Sequence, residues 1–256
     1  MKAVLALVGA VLLVGGCRSG GLVRVAAVDG SGDHRVFAIG TLTQVMMEPV
    51  FWTLEDTEKI NFDLPVTLYF KDALPPEYEH VTMRMLHDGW DGLSRRESFA
   101  LMMMAVCDEL ETTPQELCER YLVEPYGLVD TSFVMTDALR ARLIPPCGRG
   151  LFDWLGDGEP EVAANRMVDA ERFSEGLYSS AYDVLRVAYV IRPHLDRMKA
   201  VLDEDTLDDG RKALYRRAAP SGGGIIGFDS GGRHSVVVLD NANGPGVGDA
   251  LKLLPR

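Results

Sequence analysis

The segment F-A-I-G-T-L-T-Q, residues 37–44, constrains the fold of this chain more than any other feature. A short apolar stretch ends at Gly40, and apolar residues at helical spacing follow it. The pattern predicts a strand that leads into a long helix beginning near Thr41. Thr41 and Gln44 are three residues apart and therefore share one face of that helix. Because the N-terminus of a helix favours negative charge, a hydroxyl at Thr41 stands where a nucleophile would be activated.

The same segment resembles F-x-I-G-S-x-x-K, which opens the long catalytic helix of the serine β-lactamase and penicillin-binding (DD-peptidase) family. In that family the Ser is the acylated nucleophile, and the Lys tunes it. Here Thr41 stands at the Ser position and Gln44 at the Lys position. A glutamine amide cannot take up a proton near neutral pH, and the β-branch of a threonine crowds its hydroxyl. The segment predicts the scaffold of this family without its proton acceptor.

Four more segments resemble strings of the same family, and they follow one another in the family's order. They are E-K-I-N-F-D-L-P-V (58–66), H-V-T-M-R-M-L-H-D-G-W-D-G-L (80–93), E-P-Y-G-L-V-D-T-S-F (124–133) and E-G-L-Y-S-S-A-Y-D-V-L (175–185). The resemblance implies an α+β fold, in which an antiparallel sheet is flanked by helices and joined to a helical subdomain, in shortened form. We assign the domain to residues 22–256, with the α/β part at about 22–40 and 174–256 and the helical part at about 41–150.

The family's other two catalytic motifs are also degenerate. Its Tyr-x-Asn or Ser-x-Asn element is missing, since only S-R-R-E-S (94–98) fills the expected interval. Its basic residue, which opens a K-T-G or H-x-G strand, is replaced by Ser221 when the strand is aligned through Gly227-Phe228. The resemblance therefore predicts remnant positions rather than catalytic ones. The predicted binding residues are Thr41, Gln44, Ser221, Gly222 and Gly223.

No replacement catalytic group emerges from the histidines, which are His34, His80, His87, His194 and His234. His87 lies two residues before the position of the histidine in the family's H-T-S-G string, so we interpret it as structural. We interpret Asp88 and Asp91 beside it as loop caps. The sequence contains neither C-x-x-C nor H-E-x-x-H, and we predict no metal and no cofactor.

The N-terminus has the pattern of a bacterial lipoprotein signal. Lys2 precedes an apolar stretch, residues 3–14, which is too short to span a bilayer. The following L-V-G-G-C (13–17) resembles a lipoprotein box, with Cys17 as the lipidated residue. We expect residues 1–16 to be the signal peptide and 17–21 a tether. Because Arg18 follows Cys17, the expected destination is the outer membrane. The alternative is an ordinary secretory signal with a coincidental cysteine.

The remaining cysteines, Cys107, Cys118 and Cys147, leave one disulfide open as an alternative, but Cys107 and Cys118 fit buried helical positions.

Several elements are predicted from local patterns. Residues 22–28 and 35–39 should form a hairpin around D-G-S-G-D, and Pro49 should interrupt the first helix. Thr82, Thr113 and Ser180 should begin helices. The last third should hold two strands, 224–228 and 235–240, and a closing helix, 247–254.

The net charge of the chain argues against one class of function. The chain has 256 residues and a formal net charge of −12, which argues against a nucleic-acid partner. The leading hypothesis is an inactive β-lactamase-like lipoprotein that binds or scaffolds at the cell envelope, with a cell-wall peptide or an envelope protein as partner. The alternatives are a divergent esterase or peptidase that uses Thr41, and a purely structural lipoprotein.

Overall fold

The structure is a computed structural model that describes residues 24–28, 33–70, 74–145, 173–218, 223–241 and 246–255. An antiparallel sheet of five strands forms its centre, in the order β1-β7-β6-β5-β4. These strands are β1 (Arg24–Val28), β4 (Asp203–Thr206), β5 (Lys212–Arg217), β6 (Gly223–Asp229) and β7 (Ser235–Asp240). A second, two-stranded sheet pairs β2 (Val36–Ala38) with β3 (Tyr178–Ser180).

α-Helices surround the sheets. They are α1 (Leu42–Asp56), α2 (Met83–Asp88), α3 (Arg95–Glu109), α4 (Pro114–Cys118), α5 (Glu124–Tyr126), α6 (Asp137–Arg140), α7 (Ala181–Ile191) and α8 (Val247–Leu251). A π-helical turn, Glu119–Val123, joins α4 to α5. Three 3-10 helices, Val66–Tyr69, Pro76–Tyr78 and Arg192–Met198, lie between the others. The predicted α+β class, with helices flanking an antiparallel sheet, is confirmed.

Both faces of the large sheet are covered, because neighbouring residues of its central strands point to opposite sides. Ile225 and Val236 belong to a small cluster with Leu251 of α8. Ile226 and Val237 belong to the main core, which also holds α1 and α7. Strands β6 and β7 are buried along their whole length. Their continuous apolar sequences are what such two-sided burial requires.

Helix α1 begins where it was predicted and continues through Pro49, so the predicted interruption is wrong. Gly40, with φ of +53°, turns the chain from β2 into the helix. A proline inside a helix costs about 3 kcal/mol. Met46, Met47 and Val50 are each fully buried around it, and a buried side chain of this size contributes about 1.5–3 kcal/mol. Packing on nearly every side therefore outweighs the lost hydrogen bond.

The predicted hairpin between residues 22–28 and 35–39 is also wrong. Strand β1 pairs with β7, from Arg24 opposite Asp240 to Val28 opposite Val236. Strand β2 instead pairs with β3. The physical reason is that β7 is fully buried, so the main-chain groups on both of its edges need hydrogen-bonding partners. Strand β6 pairs with one edge of β7, and β1 pairs with the other.

The described residues after α7 contain four strands, not the predicted two. Strands β6, β7 and helix α8 match the predictions, whereas β4 and β5 were missed. Strand β4 reads D-E-D-T and is exposed throughout, and β5 carries Lys212, Arg216 and Arg217. Such sequences lack the apolar alternation that marks a half-buried strand. Their conformation is determined by pairing, of β5 with β6 and of β4 with β5.

The predicted helix starts are confirmed. Thr82 accepts a hydrogen bond from the Met85 amide, and Ser180 accepts one from the Asp183 amide. Thr113 forms a capping box with Glu116. No helix among the described residues has the length and apolar character needed to cross a membrane. Cys17 and the rest of the predicted signal, together with Cys147, lie outside the described residues.

Cys107 and Cys118 are free thiols in the structure. Cys118 is fully buried, and Cys107 is half-buried. Burial raises the pKa of both thiols to about 12. They therefore remain protonated and act as small apolar side chains, as predicted.

Candidate functional site

Thr41 and Gln44 lie where α1 begins and where β5 ends, so the resemblance predicted their place in the fold correctly. Thr41 is 5% exposed and Gln44 is 2% exposed. The main-chain N–H of Gln44 donates a hydrogen bond to the main-chain carbonyl of Thr41 at 3.2 Å. Both residues therefore belong to the first turn of α1. The pair is packed into the protein rather than presented on its surface.

The Thr41 hydroxyl donates a hydrogen bond to the main-chain carbonyl of Arg217, at 3.3 Å. A hydroxyl has one proton to donate, and this contact uses it. A carbonyl accepts a hydrogen bond but cannot remove the proton. The hydroxyl is therefore oriented toward a group that does not activate it as a nucleophile.

Gln44 is joined to Arg216, the residue before Arg217 on β5. Arg216 Nη2 donates to Gln44 Oε1 at the long distance of 3.5 Å. Arg216 pairs with Ile226 across the sheet, so its side chain projects from the same face as Ile226, which packs in the core with α1. A cation from β5 thus approaches the first turn of α1 at Gln44.

The charge of Arg216 is poorly compensated. Its side chain is only 18% exposed, and its carboxylate partner, Asp203, is 4.0 Å away and 60% exposed. Burial lowers the pKa of Arg216, and the positive charge of Arg95 lowers it further, while Asp203 acts in the opposite direction. Arginine nevertheless stays protonated in proteins. Neither Arg216 nor Gln44 can accept a proton from Thr41 at neutral pH.

Of the three other predicted site residues, the structure describes only Gly223. Ser221 and Gly222 lie outside the described residues, while Gly223 begins β6 opposite Asp240. A Cβ atom on the next residue, Gly224, would lie 3.2 Å from Leu42 Cδ1. A glycine at that position therefore lets β6 approach the first residue of α1.

Sequence analysis missed Arg216 and Arg217 because β5 itself was not predicted. The one local signal was the pair of arginines just before the aligned strand. Ser221 lies outside the described residues, and the basic residue that the structure shows beside Gln44 is Arg216.

A second polar contact lies one helical turn beyond Gln44. Glu48 of α1 is 1% exposed, and its Oε2 atom is 2.9 Å from His87 Nε2. His87 Nδ1 is 2.9 Å from Asp88 Oδ1. Burial lowers the pKa of His87, but Glu48 and Asp88 more than offset this and raise it to about 9. His87 is therefore a charged link between α2 and α1, consistent with its structural interpretation.

Two of the family-like strings bind each other through buried carboxylates. Asp183 accepts hydrogen bonds from the amides of Val129 and Asp130, at 3.0 and 2.7 Å. Asp130 accepts one from Ser180 at 2.8 Å and is paired with Arg142. These contacts hold the segment after α5 against the start of α7. The strings therefore serve the scaffold rather than the chemistry.

No three His, Cys, Asp or Glu side chains come together as a metal site within the described ranges. No family model and no curated protein matches the sequence.

Solved structures do match. A class C β-lactamase in complex with cefoxitin superposes with a TM-score of 0.65, at 11% identity and 90% coverage of both chains. A class C β-lactamase from Rhodobacter sphaeroides gives a TM-score of 0.60 at 15% identity, covering 84% of this chain and 83% of that one. A β-lactamase from Sulfitobacter sp. EE-36 gives 0.59 at 13% identity, covering 84% and 81%. The chain has the β-lactamase-like fold.

Proposed function

We propose that this protein binds a ligand or partner on a β-lactamase-like scaffold and does not transfer acyl groups. The observation that carries the proposal is the contact of the Thr41 hydroxyl with the Arg217 carbonyl, beside an amide at position 44. A positioned general base supplies a rate factor of about 10²–10⁴. Gln44 occupies the position of that group and cannot replace it.

The end of β5 supports a binding role. Strand β4 pairs with β5 only as far as Tyr215, opposite Asp203, so Arg216 and Arg217 extend beyond that ladder. The guanidinium of Arg216 at this strand end can form charge-assisted hydrogen bonds with a ligand. A cell-wall peptide is the ligand class we propose, with an envelope protein as the alternative partner.

Exposure to a fluorescent penicillin, followed by intact-mass measurement, tests the loss of chemistry. We expect the mass of the chain to stay unchanged. A stoichiometric adduct on Thr41 would overturn the proposal. Muropeptides should raise the melting temperature in the same preparation, since a ligand that binds only the folded state stabilises it by mass action.

The alternative is a hydrolase that uses Thr41. One observation favours it: the Arg216 guanidinium lies 3.5 Å from the Gln44 side chain, one helical turn from Thr41, and a guanidinium can stabilise a developing oxyanion. Ester turnover that is lost in Thr41→Val but kept in Thr57→Val would support this alternative. Thr57 is a matched control because it lies at the opposite end of α1, where its hydroxyl donates to the Thr53 carbonyl.

We also propose that a lipid on Cys17 tethers the protein to the bacterial envelope, with the outer membrane as its destination. The lipoprotein-box pattern and Arg18 support this proposal. Cys17→Ala should move the protein from the membrane fraction to the soluble fraction. Retention of the variant in the membrane would contradict it.

A further inference from the structure

A cavity of about 390 Å³ lies beside α2 and the loop that follows this helix. Its walls include Arg84, Asp88, Trp90 and Asp91. Small-molecule sites in proteins have volumes of about 300–1,000 Å³ and combine aromatic or apolar walls with a few polar groups. The cavity has both features, since Trp90 supplies an indole and its neighbours supply charged side chains.

The Trp90 indole is held in a fixed orientation by the residues around it. Its ring centroid is 5.6 Å from that of Tyr78 and 6.4 Å from that of His80, in edge-on contacts. A Cβ atom on Gly92 would lie 2.5 Å from Trp90 Cη2, so the ring rests on the main chain of Gly92. Trp90 is still only half-buried. An aromatic wall that is fixed in advance reduces the entropic cost of binding.

The polar groups of the cavity wall include both hydrogen-bond donors and hydrogen-bond acceptors. Arg84 donates from Nε to Asp63 at 2.6 Å and from Nη2 to Glu55 at 2.5 Å, which leaves its Nη1 group free to donate. Asp91 is exposed and makes no hydrogen bond or ion pair with another described residue. A complementary ligand therefore has to donate hydrogen bonds and accept them.

We infer that a neutral saccharide binds in this cavity, with a pyranose ring against Trp90 and hydroxyl groups on Arg84 and Asp91. A sugar hydroxyl both donates and accepts hydrogen bonds. The C–H bonds on one face of a pyranose carry the slight positive charge that the π-face of an indole attracts. The inference goes beyond the proposed function, because this cavity includes neither Thr41 nor β5.

The charges of the cavity wall disfavour the other classes of ligand. Asp63, Asp88 and Asp91 line the cavity together with a single guanidinium, that of Arg84, so an anionic ligand meets net negative charge. An ammonium only donates hydrogen bonds, so it matches the carboxylates but is repelled by the guanidinium. A neutral sugar is complementary to the donors and to the acceptors.

Four disaccharides separate these classes of ligand. N,N′-diacetylchitobiose and cellobiose are neutral, chitobiose without its acetyl groups is a cation, and digalacturonic acid is an anion. Calorimetric titration of each into the full chain measures Kd at constant ionic strength. We expect saturable binding of at least one neutral disaccharide and weaker binding of both charged ones. No binding of either neutral disaccharide, or equal or tighter binding of a charged one, would overturn the inference.

Two aromatic variants link the binding to Trp90. Trp90→Ala should weaken binding of the neutral disaccharide by about tenfold or more, because buried tryptophan contacts commonly dominate binding energy. Tyr189→Leu is the matched control, since Tyr189 is also a half-buried aromatic residue, lies on α7 beneath the Arg192 guanidinium and does not line the cavity. It should bind the disaccharide as the wild type does. Equal weakening in both variants would contradict the inference.

Asp91→Asn keeps the inference testable if Trp90→Ala fails to fold, because Asp91 is exposed and holds no other described residue in place. It should bind the disaccharide about threefold or more weakly, since hydrogen bonds to a carboxylate are stronger than those to an amide. Asp208→Asn removes the same charge from a side chain that is 88% exposed and should bind as the wild type does. Unchanged binding in Asp91→Asn would overturn the inference. The outcome is separate from the test of acyl transfer: an adduct on Thr41 would overturn the proposed function, whereas a failure to bind sugar would leave that proposal intact.

Discussion

His87 Nε2 lies 2.9 Å from Glu48 Oε2, and this buried contact fastens α2 to α1. Glu48 follows Gln44 by one helical turn. Helix α1 therefore carries a neutral amide at Gln44 and a buried carboxylate at Glu48. The contact of Glu48 with His87 stabilises the fold, so the free energy of unfolding should depend on pH and on mutation of these residues.

The stability of the protein should depend on pH through His87. Its pKa is raised from 6.5 to about 9 in the folded state. A raised pKa means that the stabilisation is fully present below about pH 6.5 and is lost as the pH rises through about 9. A pKa raised this far corresponds to about 3 kcal/mol of stabilisation. Urea unfolding between pH 6 and pH 10 measures the loss. In His87→Gln this component of the pH dependence should be absent.

Removal of the Glu48 charge should destabilise the fold far more than removal of the Asp88 charge. Both carboxylates contact His87, but the Glu48 side chain is 2% exposed and the Asp88 side chain is 60% exposed. Breaking a buried pair costs on the order of 3 kcal/mol, whereas an exposed pair contributes less than about 1 kcal/mol. Chemical unfolding of Glu48→Gln and Asp88→Asn makes the comparison. Equal effects would show that the burial of Glu48 does not matter.

Gln44→Lys should not restore β-lactam hydrolysis. The new ammonium would lie next to Arg216 in a buried site, and the Thr41 hydroxyl would still face the Arg217 carbonyl. An unpaired buried cation should lower the free energy of unfolding by more than about 2 kcal/mol. Gln44→Met is the control of similar volume, and it should be nearly neutral because it removes an unpaired donor. Hydrolysis of a chromogenic cephalosporin by the lysine variant would show that the contact of Thr41 with Arg217 does not prevent the hydroxyl from reacting.

Asp183→Ala should destabilise the protein strongly. The change leaves the amides of Val129 and Asp130 buried without their acceptor. Each such amide costs about 1–3 kcal/mol. Asp208→Ala is the control, because the Asp208 side chain is 88% exposed, and its loss should change the free energy of unfolding by less than about 0.5 kcal/mol. Thermal unfolding of both variants measures the difference.

The sequence alone determined the parts of this protein that depend on neighbouring residues. The helix starts at Thr82, Thr113 and Ser180 were predicted because a cap and its amide partner are three residues apart. The α+β class followed from the order of the family-like strings. The shared helix face of Thr41 and Gln44 was predictable in the same way, since residues at i and i+3 lie on one side of a helix.

Only the tertiary structure decided which distant segments meet. Arg217 reaches Thr41 across 176 residues, and Arg216 reaches Gln44 across 172. Strand β1 pairs with β7 rather than with its neighbour in the chain. No local spacing encodes these contacts, because they depend on which strand edge is open and which apolar face must be covered. The contact of Arg216 with Gln44 therefore could not be predicted from the sequence, because it depends on the packing of β5 against the first turn of α1.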